Sequence, residues 1–406
     1  MPKYFYTAVS RAGESKTGVE EAKDEKDLAS LLRQQGFVLT SAKTREQKGF
    51  SLHFDFSADV FGIPLEEKLM FVRNLRVMVG AGVSLPKSLD ILSQQVRSKT
   101  FKKAVLDMKE KIVQGKALSQ TLEEHPEIFS ELFANMVKVG EESGTLENVL
   151  SQLALQLEKE HELRSQVTGA LLYPAIIVLA MIGIGILMLV TVVPKLAATF
   201  KELGVQLPLT TRLVIHTGTF LSQKWYFVFP VFLVLLFLLF RFLGTKRGKR
   251  ILDTFMLRAP LLSDLVRKTN SATTLRTLSS LIATGVPIVR GLEITSHVVG
   301  NVFFSEALAE AAEEVAKGAK ISESLAKHEK LYPILVTQMM SVGEETGESS
   351  EVLAKLAEFY EEEVTQVTKN LASVIEPLLM LVIGGVVGFF AVSMISPMYS
   401  LLNSIK

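Results

Sequence analysis

Residues 170–193 read ALLYPAIIVLAMIGIGILMLVTVV, without one charged side chain. As a helix rising 1.5 Å per residue, such a run crosses a hydrocarbon core of about 30 Å with every backbone amide paired internally. Two further runs are nearly as apolar: 225–243, WYFVFPVFLVLLFLLFRFL, and 377–395, PLLMLVIGGVVGFFAVSMI. Trp225 and Tyr226 suit one membrane interface, and Arg241 can snorkel to the other. Three transmembrane helices are predicted, and they explain an apolar content of 48%.

Charge orients them. The opening residues, MPKYFYTAVSRAGESKTG, hold no apolar signal-peptide core. Arg241, Lys246, Arg247, Lys249 and Arg250 follow the second run, a cluster that favours the cytoplasmic side. Lys195 and Lys201 after the first run argue the other way and are outnumbered. Residues 1–169 and 244–376 are therefore expected in the cytoplasm, 194–224 as an external loop and 396–406 as a short external tail.

The chain also repeats itself. Gly82-Val83 matches Gly285-Val286, a shift of 285 − 82 = 203. Without a gap, that shift carries Arg73 onto Arg276, Ser119 onto Ser322, His125 onto His328 and Pro174 onto Pro377. It also superposes VGEESGTL (139–146) on VGEETGES (342–349). Two copies of a soluble block and a span are joined by the second span. Apolar residues at helical spacing and the absence of period-2 alternation make each block a bundle of about six helices, 65–169 and 244–376. Ser84 is placed to cap one helix and Ser119 to start a short one. Nothing breaks the sixth helix ahead of Pro174, so residues 145–193 are expected to form one rod of roughly 70 Å. The first 48 residues differ: KYFYTAVS and FVLTSAK read as strands around the helix DEKDLASLLRQQG. A linker, 49–64, follows. The fold class is mainly α, an integral membrane protein with two duplicated bundles, three transmembrane helices and a small α/β appendage.

The duplicated VGE motif raises the question of chemistry. Glu141 and Glu142 are neighbours about 100° apart on a helix, so they cannot flank one substrate atom as a catalytic pair does. Gly140 and Gly343 fall on the apolar face, where a missing side chain lets a helix approach. Gly144 and Gly347 are placed to end the helix in the left-handed conformation. Structure alone explains the glutamates poorly, because negative charge at a helix C-terminus is unfavourable by up to about 1 kcal/mol. A contact role is the alternative for Glu141, Glu142, Glu344 and Glu345, with an Arg or Lys of a partner, the other block or a cation. Glu376, one residue before Pro377, is a further candidate for a contact at the membrane. Gly384 and Gly388 form a GxxxG helix-packing face.

Other chemistries find no residues. The chain has no cysteine, and six histidines lack metal-ligand spacing. Lys+Arg 44 against Asp+Glu 43 gives no basic surplus for nucleic acid. GTKRGK (244–249) has one residue too few between its glycines for a phosphate loop. No catalytic, cofactor or metal residue is assigned. An oligomeric transporter or channel remains the alternative class, disfavoured because charge lies only at span edges.

Several features together resemble the inner-membrane platform proteins of type IV pili and type II secretion, the PilC/GspF family. They are the paired blocks with Arg73/Arg276 and Gly82-Val83/Gly285-Val286, the VGE-x-[ST]-G motif in each, proline at each block-to-span junction, and PKLAATFKELGVQLPLTTRLV after the first span. The resemblance covers essentially the whole chain. It implies a non-enzymatic, multi-pass protein of the bacterial inner membrane, with no cofactor. Its implied partners are a hexameric assembly ATPase, with a retraction ATPase as a further candidate, pilin or pseudopilin transmembrane segments, other inner-membrane assembly proteins and further copies of itself. Glu348-Ser349 stands where the first block has Thr145-Leu146, so a shifted helix start is expected there.

Overall fold

The structure, a computed structural model, describes residues 3–10, 15–22, 25–44, 62–202, 208–260 and 262–404. The chain divides into two compact units, Met1–Phe61 and Gly62–Lys406.

The first unit holds β1 (Lys3–Ser10), β2 (Ser15–Glu21), α1 (Glu25–Gln34) and β3 (Phe37–Thr44) in an antiparallel sheet of order β2-β1-β3. Strand β2, SKTGVEE, is additional to the sequence expectation, because lysine, glycine and glutamate mask it by propensity. It stays in register because Tyr6 lies opposite Gly18, where a Cβ would sit 2.8 Å from the tyrosine oxygen. The core is small: Tyr6, Ala8, Ala22, Leu28 and Leu32. The expected linker lies outside the described residues as far as residue 61.

In the second unit the first block comprises α2 (Leu65–Gly80), α3 (Leu85–Gln95), α4 (Lys99–Val113), α5 (Leu118–Glu123), α6 (Glu131–Ser143) and α7 (Leu146–Leu187). After it come α8 (Val193–Glu202), α9 (Leu209–Gln223), α10 (Trp225–Leu243) and α11 (Lys246–Arg258). The second block is α12 (Ser263–Ala283), α13 (Ile288–Val298), α14 (Val302–Ala316), α15 (Ile321–Ala326), α16 (Ile334–Thr346) and α17 (Ser349–Ser404). Helices α3 to α6 and α13 to α16 begin and end at positions offset by the same 203 residues. Helix α17 begins at the position equivalent to the start of α7, so the Glu348-Ser349 departure does not move it. The second bundle carries α11 as a further helix.

Three helices are long and apolar enough to cross a membrane, within Leu146–Phe200, Trp225–Leu243 and Ser349–Ile395. Pro174 and Pro377 lie inside continuous helices and break neither. With 42 and 56 residues, α7 and α17 run roughly 60 and 80 Å, so the backbone shows no boundary between bundle and span. Helix α17 also continues through the expected tail to Ser404.

The described residues of the segment expected as an external loop are mostly helical. A π turn, Met188–Val192, precedes Pro194, which has no N–H to continue an ordinary ladder, and α8 follows. Helix α9 returns against the spans. The Thr211 hydroxyl donates to the Ser393 carbonyl at 2.6 Å, and a Cβ on Gly218 would lie 2.5 Å from the Leu189 carbonyl oxygen.

The bundle cores interlock. Phe71, Leu75, Phe101, Met108 and Met136 fill the first, which Leu281, Val286 and Ile294 of the second block also enter. Leu275, Leu292, Phe304, Leu308 and Tyr332 fill the second, together with Leu163 of α7.

Candidate functional site

Helix α6 ends and α7 begins around one glycine. Gly144 has φ 70°, and the Thr145 amide donates to the Gly140 carbonyl at 2.9 Å. Gly347 repeats the conformation with φ 76°. Both turns bring the next helix onto the buried glycine of the preceding one. A Cβ on Gly140 would lie 2.8 Å from Val149 Cγ2, and one on Gly343 would lie 3.1 Å from the Ser349 Cα. The contact residues correspond in the two halves: Leu146 and Val149 beside Gly140, Ser349 and Val352 beside Gly343.

The adjacent glutamates separate. Glu141 turns inward, where its carboxylate accepts from the Leu118 amide at 2.6 Å, the Ser119 amide at 2.9 Å and the Ser119 hydroxyl at 2.6 Å. These are the first amides of α5, and Ala117 at its N-cap offers no side-chain acceptor. Glu344 does the same for α15, accepting from the Ile321 amide, the Ser322 amide and the Ser322 hydroxyl at 2.6, 3.3 and 2.5 Å. Hydrogen bonds to a charged group contribute about 1.5–3 kcal/mol each, which outweighs the sub-kilocalorie cost of a carboxylate at a helix C-terminus. This gives two of the four glutamates a reason internal to the bundle. Ser119, expected to begin the short helix, is its second residue and a donor to Glu141. Ser84 occupies its expected N-cap position without a side-chain bond.

Glu142 and Glu345 face outward. Glu142 is exposed and has no ion pair among the described residues. Glu345 is exposed beside Lys320, at 3.6 Å. Sequence reasoning treated the adjacent acids alike. The bonds that divide them, Ser119–Glu141 and Ser322–Glu344, join neighbouring helices across 22 residues, and neither helix alone marks them.

The other candidates lie far from the turns. Glu376 is exposed at the entrance to the third span. Gly384 and Gly388 have open space where a Cβ would stand, so no described part of the chain covers that face. Between α7 and α17 the spans leave an apolar groove of about 470 Å³, lined by Ile177, Met181 and Ile184 opposite Ile383, Val387 and Phe390. Where α7 meets α11 and α12, a second cleft of about 440 Å³ holds Glu160. Glu160 is exposed to solvent at the cleft, and desolvation by the cleft walls pushes its carboxyl above the usual carboxylate range, although Arg164 and Lys68 pull it down. Among the described residues no group of His, Cys, Asp and Glu could hold a metal ion.

Comparison with known proteins matches residues 71–194 and again 274–397 to the family described as type II secretion system (T2SS), protein F. The two matches stand at the 203-residue offset of the repeat. Residues 1–43 match the N-terminal domain of the same protein family. The chain is 35% identical over 409 residues to the type IV pilus assembly protein PilC of Thermus thermophilus, covering all of both chains. It is 33% identical to the PilC of Myxococcus xanthus, covering all of this chain and 96% of that one. It is also 33% identical over 408 residues to the type II secretion system protein F of Xanthomonas campestris, again covering all of both.

Proposed function

The chain belongs to the type II secretion system protein F family, and from that premise we propose that it is the inner-membrane platform of a pilus or secretion machine. The bundles meet a hexameric assembly ATPase in the cytoplasm, and the spans act on pilin or pseudopilin segments in the bilayer. The protein itself carries out no catalysis. Its own copies and neighbouring inner-membrane proteins complete the platform.

The observation that carries this reading is mechanical. Helices α7 and α17 run from the bundle turns into the membrane without a hinge, and they are tied together where Thr365 donates to Gln166 at 2.8 Å. A push on either bundle therefore reaches the bilayer as movement of a packed helix pair. The exposed Glu142 and Glu345 lie at the far end of these levers and suit a basic surface on the motor. The groove between the spans and the open Gly384/Gly388 face suit an apolar transmembrane helix.

The test breaks transmission without touching binding. Ser165→Gly with Thr168→Gly, beside the natural Gly169, softens an exposed stretch of α7 by a few tenths of a kcal/mol per substitution. The variant should still bind the ATPase and fail in filament or pseudopilus assembly. Normal assembly would show that α7 is no lever. Topology is checked with single introduced thiols in a chain that has none. A membrane-impermeant maleimide should label Leu209→Cys in intact cells and spare Gly115→Cys.

A further inference from the structure

Helix α11 follows α10 after only Gly244 and Thr245. Its inner face is fixed. Thr245 caps it by accepting from the Gly248 amide at 3.1 Å, and a Cβ on Gly248 would lie 2.0 Å from the Phe242 carbonyl oxygen, so the turn from the span is tight. Arg250 forms a bidentate pair with Glu306, and Asp253 accepts from the Val302 amide at 2.8 Å. These contacts bind α11 to α14.

The outer face is left uncovered. Ile251 and Phe255, four residues apart and therefore adjacent on the helix, are 60% and 65% exposed. Arg247 and Arg258 continue the same stripe at its two ends, and the exposed Lys246 and Lys249 stand on the other side of the first turn, in line with Asp253. None of these four cations has an ion pair among the described residues, and the one acid of the helix, Asp253, is buried. A soluble surface does not favour two large apolar side chains framed by unpaired cations. An anionic lipid surface does, because rings and aliphatic chains enter the acyl boundary while the cations meet phosphates.

We propose that α11 lies in the membrane interface and binds anionic phospholipid headgroups through Arg247 and Arg258, with Ile251 and Phe255 inserted. The occupant follows from position and charge: the helix begins two residues after a lipid-facing span. The inference goes beyond the motor reading and rests only on α10 crossing a bilayer. Docked in this way, α11 would hold the second bundle at a set height on the membrane, because the same helix is pinned to α14.

The test uses the full chain in lipid nanodiscs, with Phe255→Cys carrying an environment-sensitive fluorophore. Val113→Cys, 67% exposed near the turn at the far end of α7, is the comparator. In discs containing phosphatidylglycerol the Phe255→Cys label should be blue-shifted and quenched by lipids brominated near the headgroup, and the Val113→Cys label should not. Discs of phosphatidylcholine alone should release it, as should high salt. Replacing Arg247 or Arg258 by Gln should weaken docking roughly fivefold each, the effect of one cation near an anionic surface. Equal labels at the two positions would overturn the proposal. So would protection of Phe255→Cys that persists in phosphatidylcholine or in detergent, which would mean that a protein surface covers the face.

Discussion

The ion pairs Arg73–Glu158 and Arg276–Glu361 occupy the same two positions of the repeat. The first is a contact of 2.7 Å with side chains 42% and 40% exposed. The second is bidentate, 2.8 and 2.9 Å, and nearly sealed at 6% and 11%. Helix α7 makes the difference. By sequence it belongs to the first block, yet it also roofs the second. Gln156 joins Thr277 and Ser280, Gln166 takes the Thr365 hydroxyl, and Leu163 enters the second core. No described helix of the second block covers the first pair in return. A duplicated sequence fixes which residues pair, and the neighbour that covers the pair fixes its geometry and energetic weight.

The cores diverge in the same way. Phe71, Phe101, Phe129 and Phe133 stack with centroids 5.0 to 5.9 Å apart. At the matching positions stand Thr274, Phe304, Tyr332 and Val336. There the buried Tyr332 hydroxyl finds Thr274 at 3.2 Å, and burial pushes its pKa up.

The comparison breaks most visibly at the sealed pair. Glu361→Ala strands a buried guanidinium and should lower stability by about 3–5 kcal/mol. Glu158→Ala, at the equivalent position, should lower it by about 0–1 kcal/mol. Thermal unfolding of the full-length variants in one detergent measures both. Equal losses would mean that α7 does not distinguish the halves.

A smaller effect runs in the opposite direction between Glu160 and its counterpart Glu363. Glu363 is paired with Lys268 at 2.8 Å, whereas Glu160 sits in the cleft with a raised pKa. A carboxyl raised by partial desolvation favours the fold while protonated. That contribution is full below the unfolded-chain value and is lost as pH rises through the folded one. Glu160→Gln, which imitates the neutral form, should match the parent Tm at acid pH and exceed it at neutral pH. A constant difference across the range would contradict the assignment.

The smallest effect sharpens the comparison. Lys111 meets Glu124 in the first half, and Glu314 meets Lys327 in the second, the same contact with its polarity inverted. Glu314→Lys and Lys327→Glu should each lower Tm slightly, and the double variant should recover most of the loss. Tm values of the four proteins complete that cycle.

These cases show what was legible in the sequence. Spans, bundles and the repeat could be read because they rest on local apolar spacing and one constant offset. Gly144 and Gly347 marked their turns through backbone chemistry that belongs to the residue itself. What α9 packs against was not legible, because the Thr211–Ser393 contact joins positions 182 residues apart. Strand β2 was hidden by its composition. The roles of the adjacent glutamates were hidden by a bond between α5 and α6 that neither helix announces alone. The sealing of Arg276 was hidden because the covering helix comes from the other copy.

The central claim is that each VGE turn uses its first glutamate to hold the bundle and its second to meet the motor. It is tested by comparing Glu141→Gln/Glu344→Gln with Glu142→Gln/Glu345→Gln in the full-length protein, measuring Tm and binding to the assembly ATPase on the same preparations. The account predicts that the first variant melts several degrees lower, because two short helices lose charged acceptors for their opening amides. The second should keep the parent Tm and lose ATPase binding. A second variant that melts low, or a first variant that keeps its Tm while binding fails, would contradict the division of roles.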